Sequence, residues 1–172
     1  LDQAVKVLLE HSPLESDFLI GLGGGAAIDL AKAVAAMTTN REGSSVVDYL
    51  EGVGRGINIT EPPLPMMAIP TTAGTGSEAT KNAVISSYDP KFKKSLRSDL
   101  MVPKVVLVDP ELTVSVPSKT TAYSGMDAIT QCIESYISMR SQSIPRALAL
   151  QGTRLAIPSI VEAVNDPYSR QA

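Results

Sequence analysis

In the stretch GMDAITQCIESY, residues 125–136, a carboxylic acid and an amide stand four apart, Asp127 and Gln131. On a helix that spacing puts both side chains on one face, reaching for the same point. A pair of this kind is half of a metal site, the remnant of one, or ordinary helix surface, and the choice depends on what else the chain supplies. It has one histidine, His11, and one cysteine, Cys132, so no zinc-type cluster of imidazoles and thiolates can be assembled from these residues. Cys132 follows Gln131 directly and on a helix points about 100° away from it, as expected of a small buried side chain. His11 ends the short helical stretch LDQAVKVLLEH, where an imidazole suits the negative end of the helix dipole. If Asp127 binds a metal, its remaining strong ligands come from outside the 172 residues.

Two loops have the chemistry of phosphate binding. GLGGGA (21–26) satisfies G-x-G-x-x-G/A with Gly21, Gly23 and Ala26 in place, between a strand-length apolar run and a helical one. Glycines there let the backbone approach an anion, and a helix N-terminus offers free amides and a positive dipole end. A tight strand-to-helix turn would read the same way. The dinucleotide pattern also wants an acidic residue about 20 positions on; Glu42 is near that distance but falls in an apparent loop. PTTAGTGSEAT (70–80) adds the hydroxyls of Thr71, Thr72, Thr75 and Ser77 at the end of another apolar run. Thr75 and Glu78 also have capping-box spacing, although the β-branched residues that follow disfavour a helix. Both loops together point to a nucleotide.

The elements that must position these residues alternate. After the first helix, DFLIGL (17–22) reads as a buried strand, GGGAA as a turn and IDLAKAVAAM as a helix, half of a parallel α/β unit. A connector rich in glycine and proline (41–65) leads to a second strand, PMMAIP (65–70). Two β-prone arms around YDPK in 79–98 predict a hairpin, and KVVLVDP (104–110) a third buried strand. From Pro117 onward the pattern is helical with no strand. The expected division is therefore an α/β domain over 1–117 and the start of an all-helical domain over 118–172.

Composition excludes several classes. The chain is 44% hydrophobic with a formal charge of −3, so no basic excess points to nucleic acid, and two Phe and five Tyr give little surface for base stacking. No apolar run approaches the roughly 18 residues a membrane helix needs. No leader pattern opens these residues, and a single cysteine fits a reducing cytoplasm, so a cytoplasmic setting away from membranes is expected.

The segments GLGGGAAIDLAKAVA, AIPTTAGTGSEATKNAVIS, KVVLVDPELT and TAYSGMDAITQCIESYIS, in this order, resemble the iron-containing (group III) alcohol dehydrogenase family through essentially the whole chain. The resemblance implies a dehydroquinate synthase-like architecture, in which a Rossmann-like nucleotide-binding domain with a parallel sheet precedes an all-α metal-binding domain. Members run to more than twice this length, so these residues are expected to be a middle piece. It further implies that Gly24 and Gly25 lie at the pyrophosphate, with Ala26 where relatives usually carry serine. By the same resemblance, Thr71 and Thr72 are expected to line the cofactor, Thr80 and Asn82 to contact it, Lys93 (with Lys94 adjacent) to lie near it, and Leu112 to lie against the nucleotide. Asp127 matches the family's first metal ligand, which makes it the expected catalytic position; Gln131 stands where most relatives have a second ligand, histidine.

The activity so implied is NAD- or NADP-dependent hydride transfer between a small alcohol and its aldehyde or ketone. A divalent ion, Fe2+ or Zn2+, assists it, and the enzyme is expected to be a homodimer. Gln131 offers a neutral amide oxygen, a poorer zinc ligand than imidazole; it is a weak further ligand, or it orients Asp127. Two other outcomes stay open: a maleylacetate reductase-like or dehydroquinate synthase-like enzyme, and a non-catalytic nucleotide-binding relative that has lost its metal.

Overall fold

Residues 25–39 read GAAIDLAKAVAAMTT, and their alanines, the best helix formers, give helix α2, Gly25–Thr39. A helix apolar on all sides must be buried on all sides, and nine of its fifteen residues are. In this computed structural model, which describes residues 1–11, 17–166, 168 and 169, α2 lies between two small sheets. Ile28 and Ala31 pack on Leu19, Met66 and Ala68 of a parallel sheet. Ala33, Ala36 and Met37 pack with Ala83 and Leu96 of an antiparallel hairpin, joined by Val46, Tyr49, Leu50, Ile59 and Met101. A short helix α1, Asp2–Glu10, precedes them, and His11 caps it, its Nδ1 2.8 Å from the Val7 carbonyl oxygen.

The parallel sheet comprises β1 (Leu19–Gly23) and β2 (Met66–Pro70), paired from Leu19 opposite Met66 to Gly23 opposite Pro70. Its third strand, β5, is only Val105–Val106, beside Met67 and Ala68. The run at 104–110 is thus a much shorter strand than its sequence predicts. Leu107 N still donates to Ala68 O at 2.9 Å, but Pro110 then opens a 3-10 turn, Pro110–Thr113, capped by the Asp109 side chain on Glu111 N. The hairpin predicted around YDPK is present as β3 (Asn82–Tyr88) and β4 (Lys91–Arg97). The connector at 41–65 is pinned by buried Asn40, whose Oδ1 accepts from Thr60 N and Glu61 N and whose Nδ2 donates to Glu61 O.

Beyond residue 117 the chain is helical, as its periodicity predicts: α3 (Ser118–Ile137) and α4 (Ser143–Asn165). They run antiparallel. A Cβ on Gly125 would strike Ile160, and one on Gly152 would come within 2.9 Å of Cys132 Sγ, so each glycine lets the opposite helix in. Cys132 is half-buried in this seam rather than fully enclosed. Helix α4 continues through Pro158, which costs a backbone hydrogen bond in its last two turns. Of the region expected to be the helical domain, 167 and 170–172 lie outside the described residues.

The chain forms two compact units, Leu1–Pro70 with Ser77–Val108, and Thr71–Gly76 with Asp109–Ala172. The division falls at Val108 rather than Pro117, and the threonine loop Thr71–Gly76 groups with the helices, not with the sheet it follows in sequence.

Each unit leaves apolar surface open. Ile20 and Leu22, on the sheet face away from α2, are 53% and 59% exposed, whereas parallel sheets are ordinarily covered on both faces. Ile137, Leu148, Leu155 and Val161 of the helical pair are each 60% or more exposed. Residues 1–172 produced alone are therefore expected to self-associate in light scattering. A monodisperse monomer with a cooperative thermal transition would contradict this.

Candidate functional site

Within the first unit, the turn after β1 is built for a backbone that must come close to something. Gly23 has φ +143°, a conformation L side chains rarely adopt, and a Cβ there would meet the Ala27 methyl at 2.8 Å. Gly21 lets α2 settle on β2, where a Cβ would reach Met66 Cε at 2.5 Å. Gly24 caps α2 with no side-chain hydrogen bond. The first helical bonds are Ala27 N and Ile28 N to Gly24 O; among the described residues nothing accepts from Gly25 N or Ala26 N. Two unpaired amides at the positive end of a fifteen-residue helix suit an anion, the chemistry a dinucleotide pyrophosphate brings. Glu42 is exposed in the loop beyond the helix.

The other expected cofactor residues of this unit are arranged by a pair the sequence reading passed over. Lys32 is 1% exposed and Asp29 7%, one turn apart on α2, with Nζ 3.6 Å from Asp29 Oδ1. The Lys32 ammonium donates to Ser77 O (2.6 Å), Asn82 O (2.7 Å), Thr80 O (3.0 Å) and Thr80 Oγ1 (3.0 Å). Asp29 Oδ2 accepts from Val84 N at 2.9 Å, while buried Oδ1 has only the facing charge. Burial pushes the Lys32 ammonium down from its ordinary range, opposed by the charge of Asp29 and its hydrogen bond. One Asp-x-x-Lys turn thus fixes backbone groups of 77, 80, 82 and 84, the segment carrying Thr80 and Asn82. A sequence signal existed: these are the only two charges in an otherwise apolar helix.

Strand register sorts the lysines. Asn82, Val84 and Ser86 of β3 face the same way as Arg97, Ser95 and Lys93, their partners on β4. Lys94, opposite Ile85, points to the other face with core residues Ala83 and Leu96. Asn82 and Lys93 therefore share a face, and Lys94 does not.

In the second unit, the threonine loop is clamped onto α3. Gly74 has φ +147°, and a Cβ there would overlap the Ser124 carbonyl. Only glycine fits. Thr72, Gly74, Thr113, Ser124, Gly125 and Ala128 are among the residues around a cavity of 780 Å³, walled largely by small side chains. Thr71 is half-buried beside it in sequence, and Leu112 lies on the 3-10 turn Pro110–Thr113, 37% exposed. The capping-box pattern at Thr75 and Glu78 yields no α-helix, only the 3-10 turn Ser77–Ala79 in the first unit.

Asp127 and Gln131 are exposed on α3 and do not line that cavity. Gln131 Nε2 donates to Asp127 Oδ2 at 2.7 Å, so the spacing does bring them together. As a donor set they fit a divalent ion in part: one anionic oxygen and, if the amide turns over, one neutral oxygen, both hard. Among the described residues no group of three or more His, Cys, Asp and Glu could complete a metal site.

Comparison with known proteins bears on this geometry. The family model described as iron-containing alcohol dehydrogenase matches residues 1–110. The chain is 39% identical over 168 residues to alcohol dehydrogenase 4 of Saccharomyces cerevisiae, covering 98% of this chain and 42% of that protein. It is 38% identical over 160 residues to the NAD-dependent methanol dehydrogenase of Bacillus methanolicus, covering 91% and 40%. The crystal structure of sulfoacetaldehyde reductase from Bifidobacterium kashiwanohense in complex with NAD+ superposes with a TM-score of 0.87 at 35% identity, over 98% of this chain and 43% of that one. The chain thus spans less than half the length of these relatives. None of the three carries a name that favours the maleylacetate reductase or dehydroquinate synthase alternative.

The Gly74 contact yields a direct prediction. In the full-length protein Gly74→Ala should cost about 1–3 kcal/mol in backbone strain alone, and more through the clash with Ser124, read as a lower midpoint of denaturant unfolding. An unchanged midpoint would show that the loop is free to leave α3. With its glycine turn before α2, its threonine loop and the match over residues 1–110, this chain belongs to the iron-containing alcohol dehydrogenase family.

Proposed function

We propose that the protein to which these residues belong transfers hydride reversibly between a small alcohol and a nicotinamide dinucleotide, with help from a divalent metal ion. The observation that carries the reading is the start of α2. Two amides without acceptors among the described residues follow a left-handed glycine there, in a chain whose relatives include an enzyme named as NAD-dependent. NAD is the cofactor proposed first, with NADP as the alternative. Fe2+ is preferred to Zn2+ because Asp127 and Gln131 offer hard oxygens. A homodimer in the cytoplasm completes the proposal, supported by the family resemblance; among the described residues no helix is long and apolar enough to cross a membrane.

When bound, the nicotinamide supplies the hydride acceptor or donor, and the divalent ion supplies Lewis acidity toward the alcohol or carbonyl oxygen. This chain's residues bind and orient. Gly24, Gly25 and Ala26 offer backbone amides and a dipole to the pyrophosphate. Thr71 and Thr72 offer hydroxyls, Thr80, Asn82 and Lys93 further polar contacts, and Leu112 its backbone. Asp127 supplies the negative charge that would hold the ion, and Gln131 steadies that carboxylate through the 2.7 Å bond. The hydride step itself is accelerated chiefly by placing the two reactants.

The test uses the full-length protein, NADH and a panel of aldehydes, with and without ferrous or zinc ions. Gly25→Val should weaken NADH binding at least about tenfold, a loss of about 1.4 kcal/mol, with the fold intact by circular dichroism. Asp127→Ala should abolish metal-dependent turnover, and Gln131→His should tighten zinc, measured by metal content after dialysis. Metal-free wild type with full activity, or an active Asp127→Ala variant indifferent to chelators, would contradict the metal assignment. Undiminished NADH binding by Gly25→Val would contradict the cofactor site.

A further inference from the structure

The Asp29–Lys32 turn has more to do than join a helix to a hairpin. Its four donor contacts, all 3.0 Å or shorter, fall on the carbonyls of Ser77, Thr80 and Asn82 and on the Thr80 hydroxyl. Three ammonium protons serve four oxygens, so Lys32 has nothing left to offer a ligand directly. Its influence runs through the residues it grips. The Thr80 hydroxyl accepts from Lys32 and gives its own proton to Ser77 O at 3.3 Å. What remains on that oxygen is one lone pair. Phosphate oxygens, which only accept, gain nothing there; a ribose hydroxyl or a carboxamide N–H, which donate, do. On the next residues, the Asn82 carbonyl is turned inward to Lys32 and the Val84 amide to Asp29. This fixes the start of β3 and the face on which Asn82 and Lys93 stand together.

We propose that Lys32, held by Asp29, is a positioning residue for the cofactor: it presents Thr80 as an obligate acceptor to a donor group of the nucleotide and sets the aim of Asn82. This rests on the proposed dinucleotide function. A buried ion pair adds little net stability over well-packed apolar groups, whereas an ammonium shared among the carbonyls of Ser77, Thr80 and Asn82 fixes the geometry of that segment. Removing it should therefore act on cofactor affinity as well as on folding.

The experiment compares full-length wild type with Lys32→Met, Asp29→Asn and Gly25→Val, using NADH fluorescence titration and steady-state kinetics. Lys32→Met should raise KM and Kd for NADH at least about tenfold while kcat at saturating NADH stays within about twofold, the split that positioning produces. A role confined to stability would lower the active fraction and the unfolding midpoint and leave KM for NADH unchanged; that result would overturn the proposal. If Lys32→Met does not fold, Asp29→Asn decides: its amide oxygen can keep the acceptor for Val84 N, while an uncharged NH2 replaces the carboxylate oxygen that faces Lys32. A raised KM for NADH in Asp29→Asn supports the proposal, and an unchanged one overturns it. Gly25→Val separates the two levels. Loss of NADH binding in Gly25→Val with none in the Lys32 and Asp29 variants sinks this inference alone; no loss in Gly25→Val sinks the cofactor site and this inference with it.

Discussion

An ammonium with no access to water anchors the first unit. Lys32 has its side chain wholly enclosed, and an isolated charge so placed would be prohibitively costly. It is tolerated because three backbone carbonyls, a hydroxyl and a carboxylate converge on it. That convergence couples elements far apart in sequence: α2 on one side, residues 77–84 on the other. The apolar contacts of α2 with both sheets follow the same geometry, since Ile28 and Ala33 flank the charged pair. Replacing either partner alone would leave the other charge buried and uncompensated, typically a loss of about 3–5 kcal/mol.

The second unit relies on absent side chains. Gly74, Gly125 and Gly152 each stand where a methyl group would collide with a neighbour, so a loop and a helix approach α3 more closely than other residues permit. Small residues also keep the cavity beside Thr72 open. Its packed core is slight, with Ile129 and Ala149 the buried apolar side chains of α3 and α4 among the described residues. Shape here comes from close backbone approach rather than from the volume of a core.

Local signals were legible where the cause is local. The strand, glycine turn and helix of 19–39, the YDPK hairpin and the two long helices all follow from short-range pattern. The pairing of Asp127 with Gln131 follows from helix periodicity alone. Three things were not legible, the last two because distant partners set them. Val105–Val106 is a short strand because Pro110 and the Asp109 cap divert the chain, against the apolar character of KVVLVDP. The loop Thr71–Gly76 belongs with the helices because of Gly74 and Ser124, about fifty positions apart in sequence. The Lys32 contacts span 45 to 50 positions, and only the oddity of two charges in an apolar helix hinted at them.

The central claim, that the start of α2 receives a dinucleotide phosphate, is tested most directly by amide hydrogen exchange on the full-length protein with and without NADH. Among the described residues the amides of Gly25 and Ala26 have no acceptor, so they should exchange rapidly in the free protein and slow markedly when NADH is added. Protection confined to other segments, with Gly25 and Ala26 exchanging at the same rate in both states, would contradict the account.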